Sequence, residues 1–181
     1  MVKLANTYTA NAVMDFTINI HDKIIINMVE FKDREHTVSV KHNIDVEDMA
    51  YVVWGVLTQP KFSYEEQKVN PYKADENGKY SVSKFSIRYD ETKKNPWIIT
   101  VENGIGDLIK RENGTIGYQN YERQRSVTMY LSQKEAVKIF YRAKSYVDHE
   151  LETQNKLLWI DNEIKEDNKK PNRKDRGGRE R

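Results

Sequence analysis

Hydrophobic and polar residues alternate through the first part of the chain. In residues 12–20, Ala12, Met14, Phe16, Ile18 and Ile20 are set against Val13, Asp15, Thr17 and Asn19. A period of two over that length predicts a strand buried on one face. His21, Asp22 and Lys23 supply a tight reversal. Residues 24–31 (IIINMVEF) resume a β-rich run, Lys32–Glu35 is a polar turn, and 37–43 alternate again, with Val38 and Val40 against Thr37, Ser39 and Lys41. The pattern predicts an antiparallel meander.

The period then changes. Met49, Val52, Val53, Val56 and Leu57 recur at spacings of three and four, which predicts a helix over 46–58, with Asp45 and Asp48 as a capping pair and Pro60 as its stop. Residues 60–79 are polar and hold Pro71 and Asn77-Gly78, so they are expected to be a partly ordered loop. The plan then repeats. Residues 80–90 (YSVSKFSIRYD) alternate, 91–95 turn, and Pro96 opens the strand WIITVEN. Gly104, Gly106, Gly114 and Gly117 break up 103–122, which predicts short strands or turns around 105–110 and 116–121. Residues 124–131 form a strand with Val127, Met129 and Leu131 inward. Ser132 and Glu135 make a capping box. Behind it, Ala136, Phe140, Ala143, Val147 and Leu151 form the apolar stripe of a helix that runs to about residue 163 or breaks near Asn155. Leu157, Trp159, Ile160 and Ile164 are a second apolar cluster.

The expectation is an α+β fold of two strand-meander-plus-helix units, with antiparallel sheets packed by two helices. One domain spans 1–164, built of pseudo-repeats at about 8–59 and 80–152. A basic, disordered tail covers 165–181.

With 181 residues, 38% hydrophobic and 32% charged, the chain has the composition of a globular domain. Its apolar runs are too short to span a membrane, its first residues lack the apolar core of a signal peptide, and it has no cysteine, all of which fits a cytoplasmic protein. Net charge is only +2, but it is unevenly spread. Residues 1–78 carry 8 basic and 12 acidic side chains, 79–128 carry 9 and 6, and 165–181 carry 8 and 4.

The segment 79–130 therefore combines cations with rings, as a single-strand binder requires: cations follow phosphates and aromatic faces stack on bases. The candidate residues are Lys84 and Arg88 on one strand, Lys93 and Lys94 in the next turn, Trp97, Lys110, Arg111, Tyr118, Tyr121, Arg123 and Arg125. Burying Lys84 and Arg88 unpaired would be costly, so both are expected to face water. The same pattern also suits an ordinary solvent face that protects a sheet edge, with tyrosines capping a small core. Arg176-Gly177-Gly178-Arg179 resembles a minimal RGG element, or is a solubilising terminus.

Catalytic signals are missing. His21, His36, His42 and His149 lack metal-ligand spacing, although His36 and His42 fall on one strand face. No phosphate loop or nucleophile elbow occurs. Asp45, Glu47 and Asp48 imitate a nuclease cluster but sit where a helix start favours carboxylates.

A meander followed by a helix, present twice, resembles the Whirly and Pur group, and the positive-cofactor-four coactivators with one such unit per chain. The likeness is best over 84–147. There KFSIRYD and WIITVEN are followed by ERQRSVTMYLSQKEAVKIF, in which Ser126, Val127, Met129, Leu131, Ser132 and Glu135 fit a small-and-apolar last strand feeding a capped helix. The acidic first half lacks the basic strand residues, and no Lys-Gly-Lys-Ala run is present. The resemblance implies single-stranded DNA held on sheet surfaces without chemistry. Sequence-tolerant binding of single-stranded DNA or RNA, in replication, recombination or transfer of phage or mobile DNA, is the expected function. No enzymatic activity, cofactor, metal, small-molecule substrate or membrane partner is expected. Two alternatives stand beside it: an interaction or structural accessory that forms homo-oligomers through its C-terminal helix, and a divergent nuclease.

Overall fold

The computed structural model describes residues 2–18, 23–33 and 35–169. Two four-stranded antiparallel sheets each feed a helix. The first holds β1 (Val2–Tyr8), β2 (Ala12–Ile18), β3 (Ile24–Lys32) and β4 (Glu35–Ile44) in chain order, followed by α1 (Val46–Thr58). The second holds β5 (Ser63–Ala74), β6 (Tyr80–Tyr89), β7 (Trp97–Lys110) and β8 (Ile116–Leu131), again in chain order, followed by α2 (Gln133–Lys169). The α+β class and the two-unit plan are as the alternation predicts.

The two units share one core. Met14, Phe16, Ile26 and Met28 of the first sheet, Phe85, Ile87, Ile99 and Met129 of the second, and the stripes Met49–Val56 and Ala136–Val147 of the helices all contribute to it. The Phe16 and Phe140 rings meet at 5.5 Å. In β4 and β6 burial alternates along the strand, which leaves their polar side chains to face water or to serve a site.

Four expectations need correction. First, 60–79 is not a loop: β5 runs through most of it. Its sequence reads as polar because Tyr64, Glu66 and Lys68 point to the core side, in register with Ile87, Phe85 and Ser83, and two of the three are charged. Pro71 falls where the pairing skips from Val69 to Ala74, so its missing N–H breaks no ladder bond. Second, β1 lies in a segment that shows no clean alternation, because a bulge between Lys3 and Ala5 shifts its phase. Third, β7 and β8 are unbroken strands of 14 and 16 residues despite their glycines. Fourth, α2 continues without a break to Lys169, so the start of the expected tail is helix. Residues 170–181, and the reversal expected at 21–22, lie outside the described residues.

The helix starts also differ. Ser132 and Glu135 form the expected box: the Ser132 N–H donates to Glu135 Oε2 at 2.9 Å and the Glu135 N–H donates to Ser132 Oγ at 3.3 Å. Asp45 occupies the N-cap position of α1 with extended backbone, but makes no side-chain cap. Its carboxylate is drawn away by Lys23 and Lys68.

One side chain joins the sheets through backbone groups. The edge strand β4 would leave Lys41 N–H and C=O open on its unpaired side. Asn103 of β7 takes both, its Oδ1 accepting from Lys41 N–H at 2.9 Å and its Nδ2 donating to Lys41 C=O at 2.7 Å. Asn103→Ala is therefore expected to lower stability by about 1 kcal/mol. Native-state hydrogen exchange at the Lys41 amide should accelerate. An amide as protected as in the parent protein would refute the role given to this contact.

Candidate nucleic-acid interface

Cross-strand register decides which residues share a face. On the outer face of the second sheet, Gln67, Lys84, Glu102 and Ser126 form one row, and Val69, Val82, Gly104 and Arg123 the next. Register shifts at Asn103/Gly104 and Ile105/Asp107 bend the β7–β8 hairpin here. The bend is large enough for Tyr118 of β8 to hydrogen-bond Gln67 of β5, although these strands are opposite edges of the sheet. The sheet therefore curls over its own outer face.

Tyr118 and Tyr121 fill the hollow of that curl, their ring centroids 5.8 Å apart. Glycines make the space. A Cβ on Gly104 would meet Tyr121 Cε2 at 2.7 Å and the Glu122 carbonyl oxygen at 2.2 Å, and one on Gly106 would meet Tyr118 Cδ2 at 3.3 Å. This is why glycine-punctuated sequence remains strand. The Lys84 ammonium lies 3.8 Å from the Tyr121 ring centroid and 5.9 Å from that of Tyr118, both within cation–π range. The Arg123 guanidinium pairs with Glu102 at 3.2 Å, and Arg111 packs against Gly117, beside Tyr118. Burial, then the Glu102 carboxylate and Tyr118, push the Tyr121 hydroxyl up to about 12. Burial, Glu65 and Glu102 raise Tyr118 in the same direction, against the pull of Arg111. Both phenols thus stay neutral at physiological pH.

Five of the eleven candidates converge here: Lys84, Arg111, Tyr118, Tyr121 and Arg123. Lys110 sits at the same hairpin end and is exposed. Arg88 is on the same face but beside the β6–β7 turn, where it lines a shallow cleft with Lys61 and Thr92. Lys93 and Lys94 occupy that turn, at the opposite end of the 14-residue β7 from the β7–β8 hairpin, roughly 40 Å away measured along the strand. Arg125 is exposed on the other face: it is in register with Asn103 and Ser83, on the side of the sheet that meets β4. Lys84, Arg88 and Arg125 are therefore not one surface.

Trp97 is no stacking platform. It is 1% exposed, packs edge-on against Tyr89 at 5.2 Å and donates its indole N–H to Gln133 Oε1 at 2.7 Å. Position 97 falls on the inward parity of β7 with Ile99 and Val101, a signal legible in the sequence.

A second polar assembly, unforeseen in the sequence, lies between the sheets. The buried His42 ring contacts Ser83 Oγ through Nδ1 and Glu66 Oε2 through Nε2, each at 3.0 Å, and stacks on Phe85. Glu66 Oε1 accepts from Lys68 Nζ at 2.8 Å, and the same ammonium reaches Asp45 Oδ2 at 2.7 Å. Burial would raise the Glu66 carboxyl, but hydrogen bonds from His42 and Lys68 outweigh it and hold the group below its ordinary range. Asp45 is lowered in the same way by Lys68 and Lys23. Burial and the charge of Glu66 raise Asp48. Carboxylate oxygens of Asp45, Asp48 and Glu66 lie within 4.8 Å of one another, close enough to ligate one ion. Lys68 already supplies the cation that this cluster calls for, so the arrangement reads as a structural ion network. The clue was His42, which shares the inward parity of Val38 and Val40.

No helix among the described residues is long and apolar enough to cross a membrane. Comparison of the chain with protein-family models, with curated proteins and with solved structures finds no match.

Proposed function

We propose that the chain binds single-stranded nucleic acid on the outer face of the second sheet, without chemistry and with little sequence preference. The reading rests on one observation: two neighbouring tyrosine rings, a lysine ammonium over one of them, and Arg111 and Arg123 beside them in a hollow open to solvent. Rings offer every base a face to stack on, worth about 1–3 kcal/mol per base. Three cations outnumber the two nearby carboxylates, Glu65 and Glu102, so the local field favours a phosphate backbone. The resemblance of the two-unit plan to Whirly-like single-strand binders supports the same reading.

Titration of a fluorescent oligo(dT) tests it. Three phosphate-neutralising cations predict a log–log salt slope of about −2. Tyr118→Leu with Tyr121→Leu keeps much of the apolar packing and removes the ring faces, and is expected to weaken binding by roughly tenfold or more. Arg125→Glu, on the opposite face, is expected to change affinity little. Absence of binding at low salt would end the proposal. Equal affinity of the double tyrosine variant would move the site elsewhere.

A further inference from the structure

One exposed ring on the outer face of the second sheet lies outside the tyrosine hollow. Tyr130 of β8 is 48% exposed. Its hydroxyl has no hydrogen-bond partner, and its ring no aromatic or cationic neighbour, among the described residues. Register fixes its place. Ser63, Arg88, Ile98 and Tyr130 form one row across the sheet, on the outward parity of Lys84. Ile98, between Arg88 and Tyr130, is 6% exposed, so the row has an apolar floor. It lies four residues along β6 from the row of Lys84, roughly 13 Å away. Between the two rows are Glu65, Ser86, Thr100 and Thr128, with the two threonine hydroxyls 3.0 Å apart.

We infer, resting on the nucleic-acid reading above, that a single strand lies lengthwise along β6–β8. Its bases stack first in the tyrosine hollow and again on Tyr130, and Arg88, Lys93 and Lys94 hold its backbone at the far end. Charge selects this direction. Across the sheet the path would meet Glu65 on the edge strand β5, which repels phosphate. Beyond the row of Lys84, the outer face of β6, β7 and β8 carries hydroxyls and no carboxylate as far as Tyr130. At the β6–β7 turn, Lys61, Arg88, Lys93 and Lys94 outnumber Asp90 and Glu91. Glu91 pairs with Lys61 at 3.3 Å, and Asp90 accepts from the Thr92 N–H and hydroxyl at 3.0 and 2.7 Å. Arg88, Lys93 and Lys94 are all exposed and have no ion pair among the described residues. At about 3.4 Å per stacked nucleotide, the gap between the two ring sites holds about four, so the whole face takes roughly six.

Affinity and salt dependence for an oligo(dT) of about twelve nucleotides, long enough to cover the face, test this path. The three cations of the hollow alone account for a log–log slope of about −2, and three more steepen it to about −4. Arg88→Gln with Lys93→Gln and Lys94→Gln should return the slope to about −2 and leave the thermal melt unchanged. Tyr130→Leu is expected to weaken binding roughly tenfold at an unchanged slope, and Tyr130→Trp, which keeps a stacking face, to bind like the parent. No binding by the parent at low salt would remove the nucleic-acid reading and this path with it. A parent that binds with a slope near −2, or a Tyr130→Leu variant that binds as tightly as the parent, overturns the lengthwise path alone and confines the strand to the hollow.

Discussion

Gly55→Ala is expected to destabilise the protein by about 1–3 kcal/mol, the cost of overpacking a core. The sign runs against helix propensity, since alanine in a helix interior is normally favoured over glycine by about 1 kcal/mol. At this position a Cβ would lie 2.2 Å from two ring carbons of Phe62 and 2.5 Å from a third. The ring cannot swing aside: Phe62 is 2% exposed, sits edge-on to Tyr51 at 5.6 Å, and its carbonyl accepts from Tyr89 N–H at 3.1 Å. The glycine thus lets the segment entering β5 close onto α1. Urea unfolding of Gly55→Ala, Phe62→Leu and the double variant measures the coupling. The smaller side chain in the double variant should recover part of the loss. Gly55→Ala as stable as the parent would show that the ring has room to move.

Lys68→Met is expected to cost about 2 kcal/mol at neutral pH. Removing one partner of a fully buried ion pair costs about 3–5 kcal/mol. The discount reflects partial exposure, 28% for Lys68, 39% for Asp45 and 14% for Glu66. The pH dependence separates this loss from a packing defect. Asp45 and Glu66 are held below their ordinary values of 3.8 and 4.5, so the stability they contribute is present above those values and is lost as pH falls through the lowered folded ones. Lys68 loses free energy to burial but gains more from Asp45 and Glu66, and is raised above 10.5. Its contribution is therefore complete below that pH and disappears as pH rises past it. Without Lys68 the two carboxylates have less reason to stay ionised. The gap between parent and variant should narrow as pH falls from the ordinary carboxylate range through the lowered folded values of Asp45 and Glu66, where the carboxyls of both proteins become protonated. A gap that is constant from neutral pH to acid would point to lost packing of the lysine stem instead.

These two sites mark the limits of what could be read from sequence. Position 55 lies in a helix that periodicity predicts correctly, and Pro60 ends it as expected, yet nothing local announces that Phe62 will occupy the place of a side chain at 55. Lys68 lies in a segment that reads as a loop. Strand signals depend on apolar residues facing a core, and β5 offers Glu66 and Lys68 to the core side because His42 and Asp45 wait there to pair with them. A strand whose inward face is ionic has no alternation to detect until its partners are known. The proposed interface divides in the same way. Outward placement of Lys84 and Arg88 follows from the cost of burying them, while the parity that puts Trp97 inward and Arg125 on the opposite face was equally legible but outweighed by residue type.

Local patterning alone determined strands β2, β3, β4 and β6, the two helices and the capping box at Ser132, because each depends on spacing within a dozen residues or fewer. Tertiary structure alone decided that β5 is a strand, that Gly104 and Gly106 make room for tyrosine rings instead of breaking β7, and that five candidate residues meet while six do not. Those outcomes depend on the bulges and curl of a sheet whose opposite edges are 51 residues apart at Gln67 and Tyr118. Side chains so far apart in sequence carry no shared periodicity, and only the closed backbone brings them into contact.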